Sequence, residues 1–171
     1  MKKTILIFLS ILCFGTTLTS FAQTRENLKQ EASNMTTEKI STVFAMGDKN
    51  TAYAKYFVGQ SYLNMLSLEQ VVIGNVTFEP GCRNNWHIHH AKNGGGQILL
   101  VTAGRGYYQE WGKPAQELKP GDVVNIKTGV KHWHGASPNS WFQHLAIEVP
   151  GEGTSNEWLE PVDSKDYNSL K

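Results

Sequence analysis

GCRNNWHIH (residues 81–89) and GDVVNIKTGVKHWH (residues 121–134) are the stretches whose reading decides the fold. Each opens on a glycine and closes on two histidines separated by one residue, and all six histidines of the chain fall between positions 87 and 144. Side chains on a β-strand alternate between faces, so His87 shares a face with His89 and His132 shares one with His134. A helix would splay residues two apart. Neutral imidazole is the commonest metal ligand and suits Zn, Cu, Fe and Ni, so two strand-borne pairs gathered by a sheet predict a site for one divalent ion. A lone histidine is more often a satisfied core or surface residue. Four at this spacing, each pair behind a glycine turn, point to a metal.

The flanking sequence supports strands. Residues 71–78, 97–102, 107–111, 123–126 and 141–149 are rich in Val, Ile, Thr and aromatics, and between them stand Glu79-Pro80-Gly81, Gly94-Gly95-Gly96, Gly104-Arg105-Gly106 and Pro120-Gly121-Asp122. Short strands separated by turn signals every eight to twelve residues or so indicate an all-β antiparallel sandwich or barrel. An edge strand is expected within residues 52–66. The tail 151–171, with an N-cap pattern at Asp163, is expected to pack back on the domain. Trp86, Trp133 and Trp141 read as packing residues, His90 as facing away from the metal, and Glu148 as a solvated residue at a strand end.

Residues 1–22 carry Lys2 and Lys3, a largely apolar run and small residues around Ser20-Phe21-Ala22, the pattern of a secretory signal peptide. The expected mature protein is secreted, to the periplasm, and free of the membrane after cleavage. It keeps 14 basic and 15 acidic side chains, with no concentrated basic patch for nucleic acid. Residues 23–50 read as a polar leader with one short helix at 25–32, and residues 51–171 as a single domain with its barrel core at 70–150. Cys82 alone survives cleavage, which leaves no internal disulfide; beside Gly81 it reads as a turn cysteine.

These residues resemble the two motifs of the cupin family. Gly81, then His87 and His89 with Gly104 beyond, is similar to the first motif; Gly121, Lys127, Gly129 and His132 are similar to the second. The resemblance implies a jelly-roll-like antiparallel β-barrel. The glutamate of the first motif is absent, and Gln97 stands at the interval from Gly104 where the family places that carboxylate. Lys127 replaces a proline and Ala136 an asparagine. A neutral amide leaves the site one charge more positive, which weakens hold on hard cations and strengthens Lewis acidity.

A narrower resemblance covers TFEPG (77–81), WHIH (86–89), GQ (96–97), LVTAGRG (100–106), KHWHGA (131–136) and HLAIE (144–148). These are similar to small bacterial cupins with manganese-dependent hydroxynitrile lyase activity and to the cupin halves of carboxymuconolactone decarboxylase-type fusions. The resemblance implies His87, His89, Gln97 and His132 as ligands of one divalent ion, manganese first, with iron, zinc and nickel as alternatives. It implies His134 and His144 as residues of the substrate pocket. The implied activity is a metal-dependent lyase of a small carbonyl-type molecule, working as a homodimer; a metal-dependent dioxygenase and a non-catalytic ligand-binding cupin are the alternatives.

Overall fold

The structure is a computed structural model that describes residues 40–170, together with Gln23 and Arg25. The expected signal peptide, and the helix expected at 25–32 apart from Arg25, lie outside the described residues. Fifteen strands follow in chain order: β1 Asp48–Lys49, β2 Phe57–Val58, β3 Ser61–Ser67, β4 Ile73–Phe78, β5 Arg83–Asn84, β6 His87–His90, β7 Asn93–Gly94, β8 Gln97–Gly104, β9 Gly106–Glu110, β10 Gln116–Leu118, β11 Val123–Ile126, β12 His132–Ala136, β13 Phe142–Glu148, β14 Gly151–Glu152 and β15 Ser155–Trp158. A single helical turn and a half, α1 Ser164–Asn168, closes the series.

All the pairings are antiparallel. One sheet runs β1-β3-β4-β13-β8-β11; a second runs β10-β9-β12-β5-β2, with β6 also laid on β12 and β15 on β6; β7 and β14 form a small ribbon. The two large sheets are separate ladders rather than one hydrogen-bonded ring, so the architecture is a two-sheet jelly roll. Period-two burial explains how they meet. Gln97, Leu99, Val101 and Ala103 of β8 are buried while Leu100 is exposed, and Val124 and Ile126 of β11 are buried while Val123 and Asn125 are exposed. These inward faces pack with Phe78 and Phe142 against Tyr108, Leu118 and Ala136 of the other sheet, burying apolar area at roughly 25 cal/mol per Å².

Gly81 and Gly121, the motif glycines, take φ of +82° and +94°. Each sits where a turn needs a left-handed residue, which glycine adopts without steric cost. Beside the first, Cys82 is fully buried in the core, and burial pushes its thiol up to about 12. That keeps it protonated, as suits a turn cysteine.

One expectation is amended. Residues 40–50 belong to the fold: β1 pairs with β3, Asn75 Nδ2 donates to Ala45 O at 2.8 Å, and Gln143 Nε2 donates to Phe44 O at 3.3 Å. Their polar side chains hid this because the sheet receives them through buried amides instead of an apolar stripe. The stretch 52–66 holds two strands after a 3-10 turn at Ala54–Tyr56: β2 lies at the edge of the second sheet, as expected, and β3 from Ser61 lies between β1 and β4. The tail does pack back: β15 pairs with β6, Asp163 caps α1 by accepting from the amides of Lys165 and Asp166, and the buried Tyr167 donates its hydroxyl to Ala136 O at 2.7 Å. Trp86 and Trp133 pack with Tyr167 and Val162 beneath it, as their packing role requires.

Phe78 is fully buried and touches the rings of Phe57, Phe142, His134 and His144, with centroids 5.4–6.0 Å away. Phe78→Ala is expected to cost about 3–5 kcal/mol in a denaturant titration. A loss under 1 kcal/mol would mean that the sheets do not close over this ring.

Candidate metal centre

The site lies between the sheets at one end of the sandwich. His87 and His89 come from β6 and His132 and His134 from β12, which are neighbours; His87 and His132 are directly opposed. From the facing sheet come Gln97 on β8 and His144 and Glu148 on β13, where Glu148 opposes Gln97. His144, Ala146 and Glu148 share the inward face with period two. A register shift between Gln143 and His144 skips Thr102 on β8, a bulge that keeps His144 inward against Val101.

Two short hydrogen bonds set the imidazole tautomers. His87 Nδ1 lies 3.0 Å from Asn85 O and His132 Nδ1 lies 2.9 Å from Val130 O. A carbonyl oxygen only accepts, so Nδ1 carries the proton and Nε2 keeps its lone pair. The rings sit 4.1 Å apart at their centroids, and Trp158 stacks on His87 at 4.7 Å. His132 Nε2, His89 Nε2 and Gln97 Oε1 are all buried with no hydrogen-bond partner. Orphaned acceptors of this kind cost stability unless something binds them. The donor set of soft-to-borderline imidazoles and one amide oxygen fits a divalent transition ion.

The ligand atoms of His87, His132 and His134 lie within 4.8 Å of one another, close enough to hold one ion. His89 falls outside that spacing, although it lines the same cavity as His87, Gln97, His134 and Glu148. His134 differs from the others because its nitrogens are already engaged. Asn84 Oδ1 accepts from the His134 amide at 2.9 Å, which turns the Asn84 amino group toward the ring, 3.1 Å from Nε2. His134 Nδ1 lies 3.0 Å from His144 Nε2. With Asn84 donating at Nε2, Nδ1 is the proton donor toward His144.

Burial dominates the electrostatics. It drives the pKa of His87 and His134 well below the usual 6.5, helped by the neighbouring imidazoles, and lowers His132 and His144 to about 4. All four are neutral at pH 7, the form a metal needs. Glu148 feels two opposed effects. Burial raises its pKa, and the proximity of His89 and His132 together with the Gln97 hydrogen bond outweighs burial, so the carboxyl sits below its usual 4.5.

The cavity in front of these groups has a volume of about 530 Å³ and carries Tyr53, Phe57 and Trp158 on its apolar wall. His134 lines it; His144 does not, being fully buried one layer behind against Phe78 and Phe142. His90 points outward, as expected, and pairs with Glu157 at 2.7 Å. Sequence reasoning passed over Asn84 and Trp158. The first has no motif signal, and the second comes from a tail whose pairing with β6 only the fold reveals.

A two-sheet jelly roll with imidazoles gathered at one mouth is the architecture of the cupins. Residues 74–141 match the cupin domain family. Over 93 residues the chain is 46% identical to an (R)-mandelonitrile lyase of Granulicella tundricola, spanning 54% of this chain and 68% of the relative. Among solved structures it is similar to a cupin-like protein of Thermotoga maritima, with 37% identity, a TM-score of 0.66, and coverage of 77% of this chain and 98% of that one. A DMSP lyase of Ruegeria pomeroyi, 16% identical with a TM-score of 0.51 over 78% of each chain, shares the fold. The chain belongs to the cupin family.

Buried neutral imidazoles make stability acid-sensitive. Their native pKa values lie below 6.5, so their contribution is intact above pH 6.5 and is lost as pH falls toward about 4, where the unfolded chain binds protons that the native one refuses. Unfolding metal-free protein near pH ~5.5 is expected to take up roughly three to four protons, measured by calorimetry in buffers of differing ionisation enthalpy. Uptake near zero would show that the imidazoles are not buried as neutral rings.

Proposed function

We propose that this protein is a secreted, divalent-metal-dependent lyase that cleaves or forms a carbon–carbon bond next to a carbonyl, with hydroxynitriles as its substrate class. The reading is supported by the similarity to the mandelonitrile lyase and by one geometric observation. His134 faces the cavity beside the free imidazole nitrogens and is joined at 3.0 Å to a second neutral imidazole, His144.

His87, His89, Gln97 and His132 would hold the ion, through three Nε2 lone pairs and Gln97 Oε1. Manganese is the first ion to test, on the resemblance to manganese-dependent lyase cupins. A bound divalent cation supplies Lewis acidity toward a substrate oxygen. The chain's own residues do the rest. Trp158, Tyr53 and Phe57 offer an apolar wall for an aryl or alkyl group, and the cavity falls within the range of about 300–1,000 Å³ usual for small-molecule sites.

In the cleavage direction His134 accepts the hydroxyl proton at Nε2, displacing the Asn84 amino group. The carbon–carbon bond to the nitrile breaks, its electron pair leaves with cyanide, and the hydroxyl carbon becomes a carbonyl. His134 then returns the proton to cyanide. His144 holds the ring through Nδ1 and shares the transient positive charge across the same contact. Neutral rings at pH 7 suit this exchange because the proton is taken and given back within one turnover.

The test is cleavage of mandelonitrile by manganese-loaded protein, followed as benzaldehyde release. His134→Ala is expected to keep stoichiometric manganese and to lose turnover by about 10²–10⁴-fold. His132→Ala is expected to lose the metal as well. Full turnover in the first variant, or full metal in the second, would contradict the assignment of roles.

A further inference from the structure

Glu148 stands at the last position of β13, where a strand meets solvent, and its side chain keeps 36% of its exposure. It nonetheless faces inward. Oε1 accepts from Gln97 Nε2 at 2.7 Å, and Oε2 lies 3.1 Å from His89 Nδ1. The contact with His89 is one of proximity and charge more than alignment, since neither ring nitrogen of His89 has a well-aligned hydrogen bond. One carboxylate therefore touches both members of the expected ligand set that the backbone leaves loose.

The contrast with the other two ligands gives this arrangement its meaning. His87 and His132 are oriented by their own backbone carbonyls two residues upstream. His89 has no such bond, and Gln97 carries an amide that can sit either way round. A carboxylate only accepts, so the Gln97 amino group must face Glu148, which leaves Oε1 as the free end. That oxygen is the one found buried without a partner. The same carboxylate favours a proton on His89 Nδ1, which leaves the lone pair on Nε2, also buried and without a partner. Carboxylate–histidine pairs of this kind orient ligands and raise their basicity.

We infer that Glu148 is a positioning residue for the metal centre, which presets Gln97 Oε1 and His89 Nε2 toward one point and supplies the negative charge that Gln97, standing where the cupin motif has a carboxylate, lacks. The inference rests on the metal reading proposed above. It assigns Glu148 no direct bond to the ion and no proton transfer.

Glu148→Gln is the decisive variant, because it preserves size while changing what the group can do. The new amide can satisfy Gln97 or His89 only by presenting N–H to one of them. A donor facing His89 Nδ1 moves the ring proton to Nε2 and removes that lone pair; a donor facing Gln97 reverses the Gln97 amide. Glu157→Gln, at the exposed pair with His90, is the control.

Two measurements are taken on wild type and both variants: Mn(II) affinity by isothermal titration with electron paramagnetic resonance of free Mn(II), and the His89 tautomer from imidazole ¹⁵N shifts in metal-free protein. Glu148→Gln is expected to weaken Mn(II) binding by about 10–100-fold and to shift His89 away from the Nδ1–H tautomer, while Glu157→Gln changes neither. Undiminished Mn(II) affinity in Glu148→Gln, or an unchanged His89 tautomer, overturns this inference and leaves the metal reading standing. Failure of the wild type to bind Mn(II) overturns the metal reading and this inference with it.

Discussion

Two backbone carbonyls decide the chemistry open to this protein. Asn85 O and Val130 O each take the Nδ1 proton of the histidine two residues on, and that choice leaves His87 and His132 as neutral rings with Nε2 lone pairs at a point where the strands are directly opposed. Each accepting carbonyl lies in the segment just before its strand. Remove either bond and the ring is free to rotate or exchange tautomers, and a buried nitrogen loses its reason to be unprotonated. The cost of holding so many polar atoms away from water is the reason the apolar core must be well packed around them. Phe78 and Phe142 do this on the inner side, Trp158 on the outer.

Two polar bridges join the sheets on either side of that pair. His134 meets His144 on one side, and His89 meets Glu148 on the other. They divide the labour. The first bridge is made of two imidazoles that burial keeps neutral. The second contains a carboxylate that stays ionised below its usual range, so it orients and compensates charge. The open cavity lies in front of both, and its aromatic wall comes from residues 53–57 and from the tail strand. A residue on the tail thus helps to form the site although it is far from the motifs in sequence.

Much of this could be read from the chain. The alternation of His87 with His89 and of His132 with His134 predicts strands and a shared face, because period two is a property of the backbone alone. His90, next to His89, is outward as the same alternation requires. Other features needed the fold. Glu148 reads as a solvated strand end because nothing local shows that its cross-strand partner is Gln97. Residues 40–50 read as leader because their contacts run through backbone carbonyls to buried Asn75 and Gln143, which no hydropathy pattern reveals. Asn84 is one of two adjacent asparagines at the end of β5, and only the approach of β12 to β5 shows that it clasps His134. In each case the missing information is a pairing between distant segments, which sets environment without leaving a mark on composition.

The most direct measurement of the central claim is an anomalous difference map at the manganese edge from crystals of the metal-loaded protein. One peak is expected within bonding distance of Nε2 of His87, His89 and His132, with Nδ1 of His87 and His132 still on the carbonyls of Asn85 and Val130. A peak bonded through Nδ1 of either ring, or one lying away from β6 and β12, would contradict it.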